Sequence, residues 1–179
     1  DALTADLSGI STTGAVNLIP GGAYNGSMTI NANVIYTSPD QGQTGIAMMP
    51  PTGQTVTLTD NTSTQPNWGF LGCYNNTGYG TCRLASDVKA TQLHVVDSMT
   101  FSLNGAHKLT ITVSGTGAGR PLEVPNVSTG ATTTFDGSTG TVEFTGTSAT
   151  DIQLDESANS VTYFNLSVLP GADTITHTL

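Results

Sequence analysis

Apolar residues in this chain recur at every second position, and the positions between them are filled by Thr, Ser and Asn. Met28, Ile30, Ala32 and Val34 share one face while Thr29, Asn31 and Asn33 take the other, and Val56 and Leu58 alternate with Thr55, Thr57 and Thr59. Successive side chains of an extended strand point to opposite faces, so this period of two makes half-buried strands and denies a helix its apolar stripe. Thr is β-branched, which suits a pleated surface better than a helix. An all-β fold is expected. The one candidate helix runs from Leu84 to Leu93, where Leu84, Val88 and Leu93 would face a core; a short connecting strand fits the same residues.

Phe101 and Leu103 lead into Asn104-Gly105, and Leu109, Ile111 and Val113 follow, alternating with Thr110, Thr112 and Ser114. Asn-Gly accepts the positive φ values of tight reversals, so a β-hairpin is expected here. Val142 and Phe144, Ile152 and Leu154, Val161 and Tyr163, Leu166 and Val168, and Ile175 and Leu179 supply further strands. Asp136-Gly137-Ser138-Thr139-Gly140 and Pro170-Gly171-Ala172-Asp173 punctuate them. Roughly nine or ten short strands with such punctuation predict an antiparallel β-sandwich or jelly roll. The alternative is a short β-solenoid in the second half, with Thr132 to Phe144 and Thr162 to Ile175 as rungs, although no fixed period holds over three units.

At 179 residues the chain suits one sizeable core. The expected organisation is a single sandwich domain over residues 14–179, preceded by an N-terminal arm over residues 1–13. Charged residues make up 9% of the chain and its formal net charge is −9, against about 25% charged residues in an average globular protein. Nucleic acid and anionic membrane surfaces reward clusters of Lys and Arg, which are missing, so neither is an expected partner. No stretch approaches the roughly 20 apolar residues that span a bilayer, so no membrane insertion is expected. If the chain is secreted, Asp1 is expected to begin its mature form.

Cys73 and Cys82 are the only cysteines, and they bracket the turn-rich segment Tyr74 to Thr81. An intramolecular disulfide is expected, with two buried free thiols as the alternative. Closing so short a loop stabilises a fold by about 2.7 kcal/mol on the chain-entropy model. Two cysteines without matched His cannot complete a structural zinc site. An oxidised pair points to an extracellular or cell-surface location.

In the arm, Leu3, Ala5 and Leu7 alternate with Thr4, Asp6 and Ser8 ahead of a Ser-Thr-Thr-Gly linker. An apolar alternating strand on a tether can lie in a neighbour's groove, adding ladder hydrogen bonds while its side chains fill pockets. Repeated from copy to copy, such contacts make an open fibre. An ordinary first strand in the chain's own sheet is the other reading.

The segment Ile19-Pro20-Gly21-Gly22-Ala23-Tyr24-Asn25-Gly26-Ser27-Met28-Thr29-Ile30-Asn31-Ala32-Asn33-Val34 resembles the turn and long alternating strand of chaperone-usher fimbrial subunits. The resemblance covers about a tenth of the chain. It implies a pilin-type, immunoglobulin-like sandwich that polymerises.

Trp68, Phe70, Tyr74 and Tyr79 lie close together beside the cysteines, among Asn and Gly. Aromatic faces with amide donors suit sugar rings; alternatively Trp68 and Phe70 anchor a long loop to the core, with both tyrosines at its surface. Glycosylation sequons occur at Asn25, Asn61, Asn75, Asn126 and Asn165, and Asn61 and Asn75 are the expected acceptors. Asp151, Gln153 and Asp155, with Glu156 adjoining, could offer oxygens to Ca²⁺, but they lack the glycine and terminal Glu of a calcium loop, so a solvated acidic face is expected. His94 and Asp97 lack a nucleophile elbow, and His107 and His177 add no ligand spacing. Gly115 to Gly119 runs into Arg120-Pro121 where a phosphate loop needs a helix start. Neither catalysis nor a cofactor is expected.

The sequence therefore points to a structural subunit of an extracellular filament, pilus or surface coat, with itself as principal partner and strand exchange as the means of assembly. The alternatives are a secreted adhesin or carbohydrate-binding module, with glycans or host or cell surfaces as partners, and a viral coat or decoration protein.

Overall fold

The computed structural model describes residues 2–5, 11–12, 27–30, 35–36, 45–61, 65, 67–74, 78–96, 98–112, 122–124, 132–145, 150–154, 160–168 and 175–178. Among them are nineteen short strands and no helix. In chain order these are β1 (Ala2–Ala5), β2 (Ser11–Thr12), β3 (Ser27–Ile30), β4 (Ile35–Tyr36), β5 (Gly45–Met48), β6 (Thr55–Asp60), β7 (Phe70–Cys73), β8 (Thr81–Leu84), β9 (Val88–Ala90) and β10 (Gln92–Val95). The remainder are β11 (Thr100–Ser102), β12 (Lys108–Ile111), β13 (Leu122–Val124), β14 (Thr134–Asp136), β15 (Thr141–Phe144), β16 (Thr150–Leu154), β17 (Ser160–Thr162), β18 (Asn165–Val168) and β19 (Ile175–Thr178).

Every pairing between these strands is parallel, which overturns the expected antiparallel sandwich or jelly roll. A first sheet runs β1-β3-β6-β8-β11-β14-β17, a second β19-β16-β13-β10-β7-β5, and a third β18-β15-β12-β9; β2 and β4 form a separate pair. From β8 onward the chain visits the first, third and second sheets in strict rotation. It is a solenoid, and consecutive strands lie in different sheets. The rungs extend well before Thr132, where the alternative reading had placed the first of them.

Inward residues stack in register. In the first sheet the column is Val56, Cys82, Phe101, Phe135 and Val161. In the second it is Ile46, Leu71, Leu93 and Leu122, beside Met48, Cys73, Val95 and Val124. In the third it is Val88, Leu109, Val142 and Leu166. Phe101 and Phe135 stack with planes 6° apart, and Phe135 also touches Tyr163. Outside, Thr55, Thr81, Thr100 and Thr134 form one column of the first sheet.

Two expectations fail for one physical reason: local turn chemistry does not say where the next strand goes. Asn104 and Gly105 have φ values of 53° and 113°, as the hairpin reading required. Yet β11 and β12 do not pair, and the turn is a corner between the first and third sheets. Leu84, Val88 and Leu93 do face the core, but from three strands around two corners rather than from a helix. Corners stack as well. Thr141 N–H donates to His107 O at 3.0 Å, and Asn165 N–H to Gly140 O at 3.2 Å. Gly140 must be glycine there, because a Cβ would run into the carbonyl oxygen of His107.

Candidate functional site

The aromatic segment straddles β7 and the corners at its ends. Trp68 sits at the bend before β7, where its backbone N–H donates to Lys89 O at 2.9 Å and Gly69 takes φ 74°. The indole is 1% exposed, and its Nε1–H donates to Asp60 Oδ2 at 2.8 Å. Trp68 is therefore a core anchor and leaves the surface group.

Phe70 and Tyr74 flank Gly72 on the outer side of β7, while Leu71 and Cys73 point inward. A Cβ on Gly72 would lie 2.5 Å from Phe70 Cε1 and 2.7 Å from Tyr74 Cε1, so both rings fold over the glycine. His94 is the register partner of Gly72 on β10, and its ring meets Phe70 edge-on with centroids 6.0 Å apart. The result is an outer-face platform of two half-buried aromatics and an imidazole. Sequence reasoning had not attached His94 to this group; only the parallel register brings it there. Tyr79 stands apart. It is 64% exposed and lies beside the Pro51–Gln54 turn, its carbonyl accepting Gly53 N–H at 2.7 Å.

Cys73 and Cys82 form a disulfide with Cα atoms 6.0 Å apart. Both are fully buried, one in the second sheet and one in the first, so the bridge crosses the interior between the end of one turn and the start of the next. The alternation that points Leu71, Cys73, Cys82 and Leu84 inward is what aims the sulfurs at each other.

Leu3 and Ala5 lie on β1, which pairs in parallel with β3 of the same chain and ends the first sheet; Leu7 lies outside the described residues. Asn61 is exposed, as is Asn165 on β18, whereas Asn25, Asn75 and Asn126 lie outside the described residues. Asp151 and Gln153 lie on β16, and Asp155, Glu156, Asp97 and Gly115 to Arg120 lie outside them. Among the described residues no three His, Cys, Asp or Glu side chains gather as a metal site. His107 faces Asp87 across 4.0 Å at a corner, away from His94. Lys108 Nζ and Glu143 Oε1 form an ion pair 3.2 Å long across the third sheet, the lysine largely exposed and the carboxylate mostly covered.

Comparison with family models, with curated proteins and with solved structures finds no match to this chain. No helix among the described residues is long and apolar enough to cross a membrane.

Proposed function

We propose that this chain is a structural subunit of an extracellular filament, pilus or surface coat. The observation behind this reading is the coil itself. Inward columns run through successive turns, and a buried disulfide ties two of those turns together. Such a stack extends in one dimension, each turn packing only on its neighbours, which suits an element of a fibre or coat. The disulfide fits an oxidising compartment, consistent with an extracellular address. The test is negative-stain microscopy and sedimentation velocity on the purified, oxidised chain. Linear oligomers or fibres are expected, and a monodisperse monomer at every concentration overturns the reading.

A second reading, an adhesin or carbohydrate-binding module, draws on the Phe70, Tyr74 and His94 platform. Rings of this kind stack on the apolar face of a sugar while an imidazole donates or accepts a hydrogen bond. A panel of neutral oligosaccharides titrated against wild type and Tyr74→Ala would decide it. Binding that the substitution abolishes supports a lectin role, and no binding by wild type removes it.

A further inference from the structure

Two stacked corners of this coil place a glycine nitrogen after a side chain that ends in a carbonyl carbon: Asn104-Gly105 between β11 and β12, and Asp136-Gly137 between β14 and β15. Such a nitrogen can attack the preceding side chain and close a ring, and glycine leaves it unshielded because it has no Cβ. The fold holds the two pairs differently.

The second pair is locked. Ser102 Oγ–H donates to Asp136 Oδ2 at 2.9 Å, and Ser138 N–H donates to Oδ1 at 2.8 Å. Gly137 is buried, its N–H donates to Thr162 O at 2.7 Å, and a Cβ there would lie 2.6 Å from that oxygen. Ring closure would have to break all three hydrogen bonds inside the stack. The first pair is held by much less. Asn104 and Ala106 are exposed, and a Cβ on Gly105 would meet nothing within 4 Å. Gly105 N–H donates to Ser138 Oγ at 3.0 Å, and among the described residues no hydrogen bond fixes the Asn104 carboxamide.

We propose that Asn104 is a site of deamidation in the folded chain, with the Ser138 hydroxyl as its brake. The Gly105 nitrogen gives up its proton and attacks Asn104 Cγ. The new C–N bond closes a succinimide, the Cγ–Nδ2 bond breaks, and the amide nitrogen leaves with the proton as ammonia. Water then opens the ring at either carbonyl, giving aspartate or isoaspartate at this position. One water is consumed, one ammonia released, and nothing is oxidised or reduced. To reach Cγ the nitrogen must leave Ser138 Oγ, so that contact slows the reaction. Either product adds one negative charge to a chain of net charge −9. Isoaspartate also lengthens the backbone at a corner packed on the next turn, where a Cβ on Gly140 would lie 3.0 Å from Gly105 O. The chemistry needs no partner and is independent of any assembly.

The test incubates the full oxidised chain, folded, in mildly alkaline buffer and follows each site by peptide mapping with isoaspartate detection. Asn25-Gly26, the other Asn-Gly pair, lies outside the described residues and maps to a separate peptide. Conversion is expected at Asn104, while isoaspartate at Asp136 is expected only when the chain is held in urea. Ser138→Gly removes the hydroxyl and tolerates the φ of 50° found at Ser138. Conversion at Asn104 should then be about two- to tenfold faster, the equivalent of one hydrogen bond. Asn104 that stays intact in the folded chain while the urea-held chain converts overturns the site, as does isoaspartate forming equally fast at Asp136. A Ser138→Gly chain of unchanged circular dichroism that converts at the wild-type rate overturns the brake. The wild-type comparison stands if that variant does not fold.

Discussion

The indole Nε1–H of Trp68 donates to a carboxylate oxygen of Asp60 across 2.8 Å, and both residues are buried at the bend that carries the chain from β6 toward β7. Asp60 also receives support from its own backbone N–H, which donates to Ser86 Oγ at 2.7 Å in the next turn. One buried contact therefore fixes a corner and ties it to its neighbour. Trp68→Phe keeps most of the ring's burial and removes the donor. A hydrogen bond to a charged group contributes about 1.5–3 kcal/mol, so the urea midpoint of Trp68→Phe should fall by that equivalent. A change within about 0.5 kcal/mol would show that the contact does not hold the corner.

The disulfide between Cys73 and Cys82 should be complete in the native protein, since both sulfurs are enclosed in the core. Thiol labelling of denatured, unreduced protein should find no free thiol. Reduction, or the Cys73→Ala/Cys82→Ala pair, should lower stability by about 2–4 kcal/mol. Two labelled cysteines would refute the bond and remove its support for an oxidising compartment.

Tyr163 packs against the core beside Phe135, and burial pushes its phenol above the ordinary range. The unfolded chain ionises this group near pH 10 while the folded chain keeps it neutral, so above that pH the unfolded state binds fewer protons and stability falls as pH rises. Below it the group adds no pH dependence. Tyr163→Phe should flatten the decline measured by denaturant midpoints between neutral and strongly alkaline pH. An unchanged alkaline slope would place the cause elsewhere.

Much of the inside and outside of this fold is legible in the sequence, because alternation alone assigns it: Val56, Leu58, Phe101, Leu109, Ile111, Val142 and Phe144 are all buried. Strand direction is not legible, since a period of two reads the same in parallel and antiparallel sheets. The repeat is hidden by unequal turns. One column steps from Thr55 to Thr81, then to Thr100, Thr134 and Ser160, so no constant period betrays it. Leu84 to Leu93 also shows how a corner every few residues imitates a helix.

The low charge takes on a new meaning in this architecture. Parallel, in-register rungs place each outer side chain about 4.7–4.9 Å, one strand spacing, from the residue in the same column of the next turn. Like charges there repel, which favours Thr, as in Thr55, Thr81, Thr100 and Thr134, while Lys108 and Glu143 meet on the diagonal across β12 and β15. The coil thus supplies a physical reason for the low charge and the abundant Thr of this chain. The aromatic platform was only half legible: the clustering of Phe70 and Tyr74 is visible, but His94 joins them through register, and Trp68 leaves them through its hydrogen bond to Asp60.

Light scattering of dissociated chains across a salt series tests most directly whether acidic copies of this chain join through apolar contacts. Raising ionic strength from 0.01 M to 0.1 M shortens the Debye length from about 30 Å to about 10 Å, muting repulsion between bodies of net charge −9 while leaving apolar contacts intact. Assembly should accelerate with salt, and again as pH falls toward the sequence pI of about 4.2. Assembly that slows steadily as NaCl rises would mean that opposite charges hold the copies together, contradicting the account.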